Sequence, residues 1–227
     1  MAWAACFWLT GNNMMNRRQF IQSLSLLGAG AIAVGLKEAA RAEQTGIGKT
    51  MDILVLTGSP RKNGNSIFLA EEFMRGAREA GHRVFHFDAA KANVHPCIAC
   101  NACGMDGPCV FKDDFETVRR QIIPADMVVF ATPMYYFGIS AQLKAVIDRF
   151  YAINGKIHVP KKAALLMTYA NTAAGQAQPI ASHYDTLLDY LGWSDSGRVI
   201  APGVWTAGSI KSTRYPQMAY ELGKNAE

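Results

Sequence analysis

Asp52-Ile-Leu-Val-Leu-Thr-Gly-Ser-Pro-Arg-Lys-Asn-Gly-Asn-Ser66 changes character twice within one short stretch. Ile53 to Leu56 is an unbroken apolar run, the pattern of a strand buried on both faces of a parallel sheet. Gly58 to Asn65 is a loop of Gly, Ser, Asn and Pro carrying two cations, Arg61 and Lys62. Ser66 then opens a periodic apolar segment. A strand, a small-residue loop and a helix N-terminus together make an anion site, because free backbone N–H groups and the positive end of the helix dipole face the loop. The stretch therefore predicts a phosphate site. The competing reading is an ordinary tight turn, since Gly and Asn are common turn residues.

Outward from this stretch, strands and helices alternate. Ser66 to Ala80 reads as a helix with Phe68, Leu69, Phe73, Met74 and Ala77 on one face, stopped by Gly81. Further strands are expected at Arg83–Asp88, Met127–Ala131, Ala163–Tyr169 and Val199–Val204. Further helices are expected from a cap at Asp113-Asp114 to about Ile123, then over Ala141–Ile153, Pro179–Leu191 and Tyr215–Leu222. The alternation means one domain built on a parallel sheet with helices on both faces. Ligands of such sheets bind outside the carboxyl ends of the strands. The loops Gly58–Ser66, Pro133–Gly138 and Tyr169–Gly175 are expected to converge there.

Neither common nucleotide fingerprint is present. The first loop lacks G-x-G-x-x-G, which discounts Asp88 as a ribose contact. Gly58 and Gly64 are one residue too far apart for a Walker A loop, and Asn65 stands where its lysine belongs. The second loop, Thr132-Pro-Met-Tyr-Tyr-Phe-Gly138, offers the flat faces of Tyr135 and Tyr136; a core aromatic cluster is the alternative. A phosphate cradle beside an aromatic platform suits a phosphorylated aromatic cofactor. No nucleophile is paired with a His or carboxylate at a convincing spacing, so no catalytic residue is assigned.

The 227 residues are 50% hydrophobic and 18% charged, enough for a sizeable core. Asn16-Arg-Arg-Gln-Phe-Ile21, a moderately apolar run to Leu36, and Ala40-Arg-Ala42 follow the order of a twin-arginine export signal, with a mature domain expected over residues 43–227 and a periplasmic location. Gly28, Gly30 and Gly35 dilute the run, which is short for a spanning helix. Arg17, Arg18, Lys37 and Arg41 against Glu38 place three of the five net positive charges in this segment. The rest of the chain is too nearly neutral to argue for nucleic acid or a membrane surface.

Gly58 to Ser66 and Thr132 to Gly138, followed by Gln142-Leu-Lys144 and Asp148-Arg149, resemble the flavodoxin-like NADPH-dependent FMN reductases over nearly all of residues 51–206. The resemblance implies a five-stranded doubly wound sheet in the order 2-1-3-4-5. It implies FMN, with its phosphate on Ser59, Arg61, Asn63, Asn65 and Ser66, and its ribityl chain and isoalloxazine against Pro133, Met134, Tyr135, Tyr136 and Gly138. Asp148 and Arg149 are expected to tie their helix to the sheet. The resemblance also implies a homo-oligomer.

Cys97-Ile-Ala-Cys-Asn-Ala-Cys103, with Cys109 after five more residues, narrows the resemblance to the iron–sulfur flavoproteins. Three cysteines at C-x2-C-x2-C can reach three corners of a compact cluster, and Cys109 can return to the fourth, although no proline follows it. In that branch the spacing ligates a 4Fe–4S cluster. A zinc site, two disulfides, or a cysteine loop retained without a cluster stay open. His95 reads as a surface or capping residue rather than a ligand. With both cofactors, the protein exchanges electrons between one- and two-electron partners. The alternatives are an NAD(P)H-dependent FMN or quinone reductase without a cluster, and a non-enzymatic flavin carrier. The family implies NADPH as donor, whereas an exported protein needs a redox partner outside the cytoplasm.

Overall fold

A computed structural model describes residues 49–227. The export segment, residues 1–42, and the domain start expected at residue 43 lie outside the described residues. β1 (Asp52–Thr57) is buried at every residue after Asp52. It pairs in parallel with β2 (Arg83–Asp88) on one side and with β3 (Met127–Tyr135) on the other. β5 (Lys162–Thr168) pairs with β3, and β6 (Ser194–Ala201) with β5, again in parallel. The five long strands run β2-β1-β3-β5-β6, the doubly wound order expected. A two-residue strand, β4 (Gly138–Ile139), folds back antiparallel onto the end of β3. Strand order reverses between β1 and β3, so the ligand crevice of such a sheet lies above their carboxyl ends.

Both faces are covered, which explains the continuous apolar runs. α1 (Asn65–Glu79) lays Leu69, Ala70, Phe73, Met74 and Ala77 on one face, beside α6 (Tyr215–Lys224). α2 (Phe115–Ile122), α3 (Ala141–Asp148) and α5 (Gln178–Leu191) cover the other. Phe73 is wholly buried, and truncating such a side chain costs about 3–5 kcal/mol. That packing fixes where the N-terminus of α1 points.

Three expected boundaries move. β3 runs on to Tyr135 because its last residues pair with β4. β6 begins at Ser194, five residues early: it is an edge strand, bonded on one side only, and Ser194 to Arg198 can stay polar there. The helix expected over Ala141–Ile153 ends at Asp148 and continues as a 3₁₀ turn, Arg149–Ile153, and a short helix α4 (Asn154–Ile157). Asp148 pairs with Lys144 on its own helix, and Arg149 turns toward the cysteine loop. The expectation that both tie this helix to the sheet is corrected accordingly. Asp113 takes the capping role ahead of Asp114: its Oδ1 accepts from Phe115 N at 3.2 Å, while Asp114 Oδ2 accepts from Asn93 N at 2.7 Å.

Candidate functional site

The loop after β1 is held tightly at both ends. Gly58 N donates to Ala131 O on β3 at 2.9 Å. A Cβ at Gly58 would collide with Ser140 Oγ, and one at Gly64 with Ser59 Oγ, so both positions need glycine for close approach. The first intrahelical bond runs from Phe68 N to Gly64 O at 3.1 Å. The N–H groups of Asn65, Ser66 and Ile67 therefore have no intrahelical acceptor. Ser66 is buried, and its hydroxyl has no hydrogen-bond partner. A buried hydroxyl left unpaired costs about 1–3 kcal/mol, which a ligand oxygen at this helix N-terminus would recover.

A cleft of about 410 Å³ opens above this loop. Ser59, Arg61, Asn65 and Ser66 line one end; Pro133, Met134, Tyr135 and Tyr136 line a wall. Thr168, Tyr169 and Ala170 come from the end of β5, so the three expected loops do converge. Asn63 and Gly138 do not reach the cleft: Asn63 is exposed, and Gly138 is spent in the β3–β4 pairing. Asn65 lines the cleft with its side-chain amide already committed. Its Nδ2 donates to Val204 O at 3.1 Å and Thr206 O at 2.9 Å, and its Oδ1 accepts from Ile210 N at 3.3 Å. The side chain staples the loop after β6, and of the Asn65 donors expected to meet a phosphate only the backbone N–H is left, with no intrahelical acceptor.

That loop supplies Val204 and Trp205, a fourth wall that the sequence reading missed. Arg61 Nη1 donates to Trp205 O at 3.2 Å, so the cation also holds this wall in place. Trp205 is 73% exposed. A tryptophan just beyond a predicted strand of a parallel sheet was the available signal.

Tyr136 and Phe137 are the two central residues of the β3–β4 hairpin, at φ 45° and 63°. Two consecutive positive φ values are what an I′ hairpin turn requires, and Asn-Gly is its usual sequence. Bulky residues there store about 1–3 kcal/mol each. The turn leaves Tyr136 fully exposed at the rim of the cleft.

The cysteine loop is a second, separate cavity. Cys97, Cys100, Cys103 and Cys109 all line it, together with Phe111, Arg149 and Tyr151. All four thiols are free, so the disulfide alternative finds no bridge here. Ala99, Asn101, Gly104 and Met105 have φ between 53° and 71°. Left-handed residues alternating along a chain turn N–H groups toward a common centre, a backbone form found at many iron–sulfur sites. Ala99 N donates to Cys97 Sγ at 3.4 Å. Among the described residues, no group of three or more His, Cys, Asp or Glu side chains is closed around a single metal ion. His95 is not turned to the thiols; its ring stacks on Phe111 and its N–H donates to Asp113 Oδ2 at 3.0 Å.

The profile of the NADPH-dependent FMN reductase family matches residues 51–205. The chain belongs to that family.

Membership makes the protein a flavin-dependent oxidoreductase and implies FMN as the cofactor. An iron–sulfur flavoprotein of Methanosarcina thermophila is 31% identical over 137 residues, which cover 60% of this chain and 72% of that protein. One from Archaeoglobus fulgidus is 26% identical over 155 residues, covering 68% and 70%. A third, from Methanocaldococcus jannaschii, is 34% identical over 99 residues, covering 44% of this chain and only about half, 51%, of that relative's length. Among solved structures, an NAD(P)H:quinone oxidoreductase from Methanothermobacter marburgensis superposes with a TM-score of 0.65 at 22% identity, over 78% of this chain and 96% of that one. An azoreductase from Bacillus anthracis str. Sterne gives 0.57 at 18% identity, over 77% and 99%. These two likenesses show the fold alone. Among the described residues no helix is long and apolar enough to cross a membrane.

Proposed function

We propose that the cleft above β1 and β3 binds FMN, that the cysteine loop binds a 4Fe–4S cluster, and that the protein relays electrons between a two-electron and a one-electron partner. The observation that carries the flavin part is the unpartnered, buried Ser66 Oγ at the N-terminus of α1. A phosphate there would accept from Ser66 Oγ and from the N–H groups of the first turn, and the helix dipole would favour its charge. Ser59 adds a hydroxyl. Tyr135, Tyr136 and Trp205 offer flat faces at the rim, and Pro133 and Met134 line the wall between. When bound, FMN would supply a centre that takes up two electrons and gives them up one at a time or together, and a cluster would pass single electrons. The protein's own residues bind and orient; none of them transfers a proton in this scheme.

The cluster part is supported by four thiols lining one cavity, by the left-handed backbone, by the N–H to Cys97 Sγ, and by the names of the relatives. A second reading, an NAD(P)H-dependent FMN or quinone reductase without a cluster, is favoured by the narrow space between the thiols. It measures about 20 Å³, roughly what one water needs, so a cluster must spread this exposed loop. Anaerobic purification with a visible spectrum and iron and sulfide assays decides between them. Four irons with flavin bands are expected; flavin without iron leaves the second reading, and a protein that takes up no FMN ends both. NADPH turnover by the purified protein separates the second reading from the first and from a flavin carrier. The twin-arginine segment supports a periplasmic protein with a redox partner as donor; uncut protein confined to the cytoplasm would oppose it. Assembly as a homo-oligomer belongs to the same proposal and is read from the mass in solution.

A further inference from the structure

Arg149 is the largest wholly buried side chain in the described fold, 1% exposed, and it lines the cysteine cavity. Most of its guanidinium is accounted for. Nη1 donates to His95 O and to Asp113 Oδ2, each at 2.9 Å, and Nη2 donates to Asp113 Oδ1 at 3.3 Å. Its plane lies 4.8 Å from the Phe115 ring and 5.3 Å from that of Phe111. One nitrogen is left with no partner at all: Nε–H is buried. The fork is pinned by Asp113, so Nε cannot swing toward water to find one. An unpaired donor on a charged group is costly to bury, and Arg149 lines a cavity shared with the four thiols, where the other polar side chains, Asn101 and Tyr151, bond to each other.

We propose that Arg149 is a positioning and tuning residue for the cysteine site, its Nε–H being the donor to an anionic sulfur of the iron–sulfur group held there. The inference rests on the cluster reading above. A hydrogen bond to cluster sulfur, and a fixed positive charge beside it, stabilise the more negative reduced form and so raise the reduction potential. Asp113 is buried against Arg149 and compensates its charge, while His95 O also holds the guanidinium.

The test compares Arg149→Lys with Asp113→Asn after anaerobic reconstitution. Lysine keeps a cation but has no Nε donor and no fork. Asp113→Asn breaks the same ion pair while leaving the Nε donor in place. Iron and sulfide per chain, and the midpoint potential from an EPR-monitored titration, are read for each. The proposal expects the potential to fall in Arg149→Lys, with faster loss of iron to a chelator, and not to fall in Asp113→Asn, where the cation is left uncompensated and its Nε donor remains. Equal potentials in all three proteins, or equal shifts in both variants, overturn it. Should Arg149→Lys not fold, wild-type protein carrying ¹⁵N-arginine supplies the second measurement. Pulsed EPR of the reduced cluster then shows a ¹⁵N hyperfine coupling if the bond exists, and none if it does not. A wild-type protein that binds no iron brings down the cluster reading itself, which the iron assay distinguishes from a cluster with an indifferent Arg149.

Discussion

The loops after β1 and β2 leave neighbouring strands, yet they are held by different means. The phosphate loop is held mainly by main-chain geometry, by Gly58 N on Ala131 O, by two glycines that admit close approach, and by the first turn of α1. The cysteine loop is held largely by side chains from the helices that follow it. Arg149 clamps Asp113 and His95, Arg119 Nη1 donates to Gly107 O at 2.8 Å, Tyr151 Oη donates to Asn101 Oδ1 at 2.8 Å, and Asn154 N donates to Met105 O at 2.8 Å. The first kind of hold rests on close main-chain approach. The second rests on side chains, of which the buried Arg149 is the most enclosed.

Arg149→Met puts that difference to its hardest test. It strands the Asp113 carboxylate in the interior, and breaking a buried pair in this way costs about 3–5 kcal/mol. Urea unfolding should register that loss, while FMN affinity of the surviving folded protein stays at the wild-type value; a parallel loss of FMN affinity would mean the two loops are coupled. Ser66→Ala is the converse. Apo stability should hardly change, because an unpaired hydroxyl is removed, whereas the FMN Kd should rise roughly 10- to 100-fold, the worth of a hydrogen bond to a charged group. Asn65→Ala should cost about 1–3 kcal/mol by leaving the Val204 and Thr206 carbonyls without their donor. Its effect on FMN would then be indirect, through a loosened Trp205.

Acid sharpens the contrast. Burial alone would raise the Asp113 pKa, but the hydrogen bonds from Arg149, His95 N and Phe115 N outweigh it and hold the carboxyl below its ordinary range. A depressed folded pKa contributes stability above the unfolded value, about 3.9, and that contribution disappears as pH falls through the lower folded value. Urea midpoints measured down to pH 3 should therefore fall more steeply for wild type than for Arg149→Met, which has already lost the clamp. Matching slopes would remove Asp113 from the account. Trp205→Ala has the smallest expected effect, about 0.5–1.5 kcal/mol of flavin affinity, visible as a modest rise in Kd by fluorescence quenching.

What was legible in the sequence follows the same division. The buried runs at Ile53 and Met127 and the loop chemistry between Gly58 and Ser66 are local patterns, and the sheet, the crevice and Ser66 follow from them. β6 was misplaced because an edge strand can be built from Ser194 to Arg198, residues with little strand character. Asn65 looked like a ligand because its type suits one; its partners, Val204 to Ile210, are remote in sequence. The same distance hid Arg149, which belongs to a helix motif but acts on a loop that ends some forty residues earlier.

The central claim is that the stretch from Gly58 to Ser66 is a phosphate cradle. Titrating the apoprotein with FMN and with riboflavin, which lacks only the phosphate, tests it most directly. The account predicts FMN binding tighter by roughly a hundredfold or more, from one or more charge-assisted hydrogen bonds and the helix dipole, with most of that margin lost in Ser66→Ala. Equal affinity for the two flavins in the wild-type protein would contradict it.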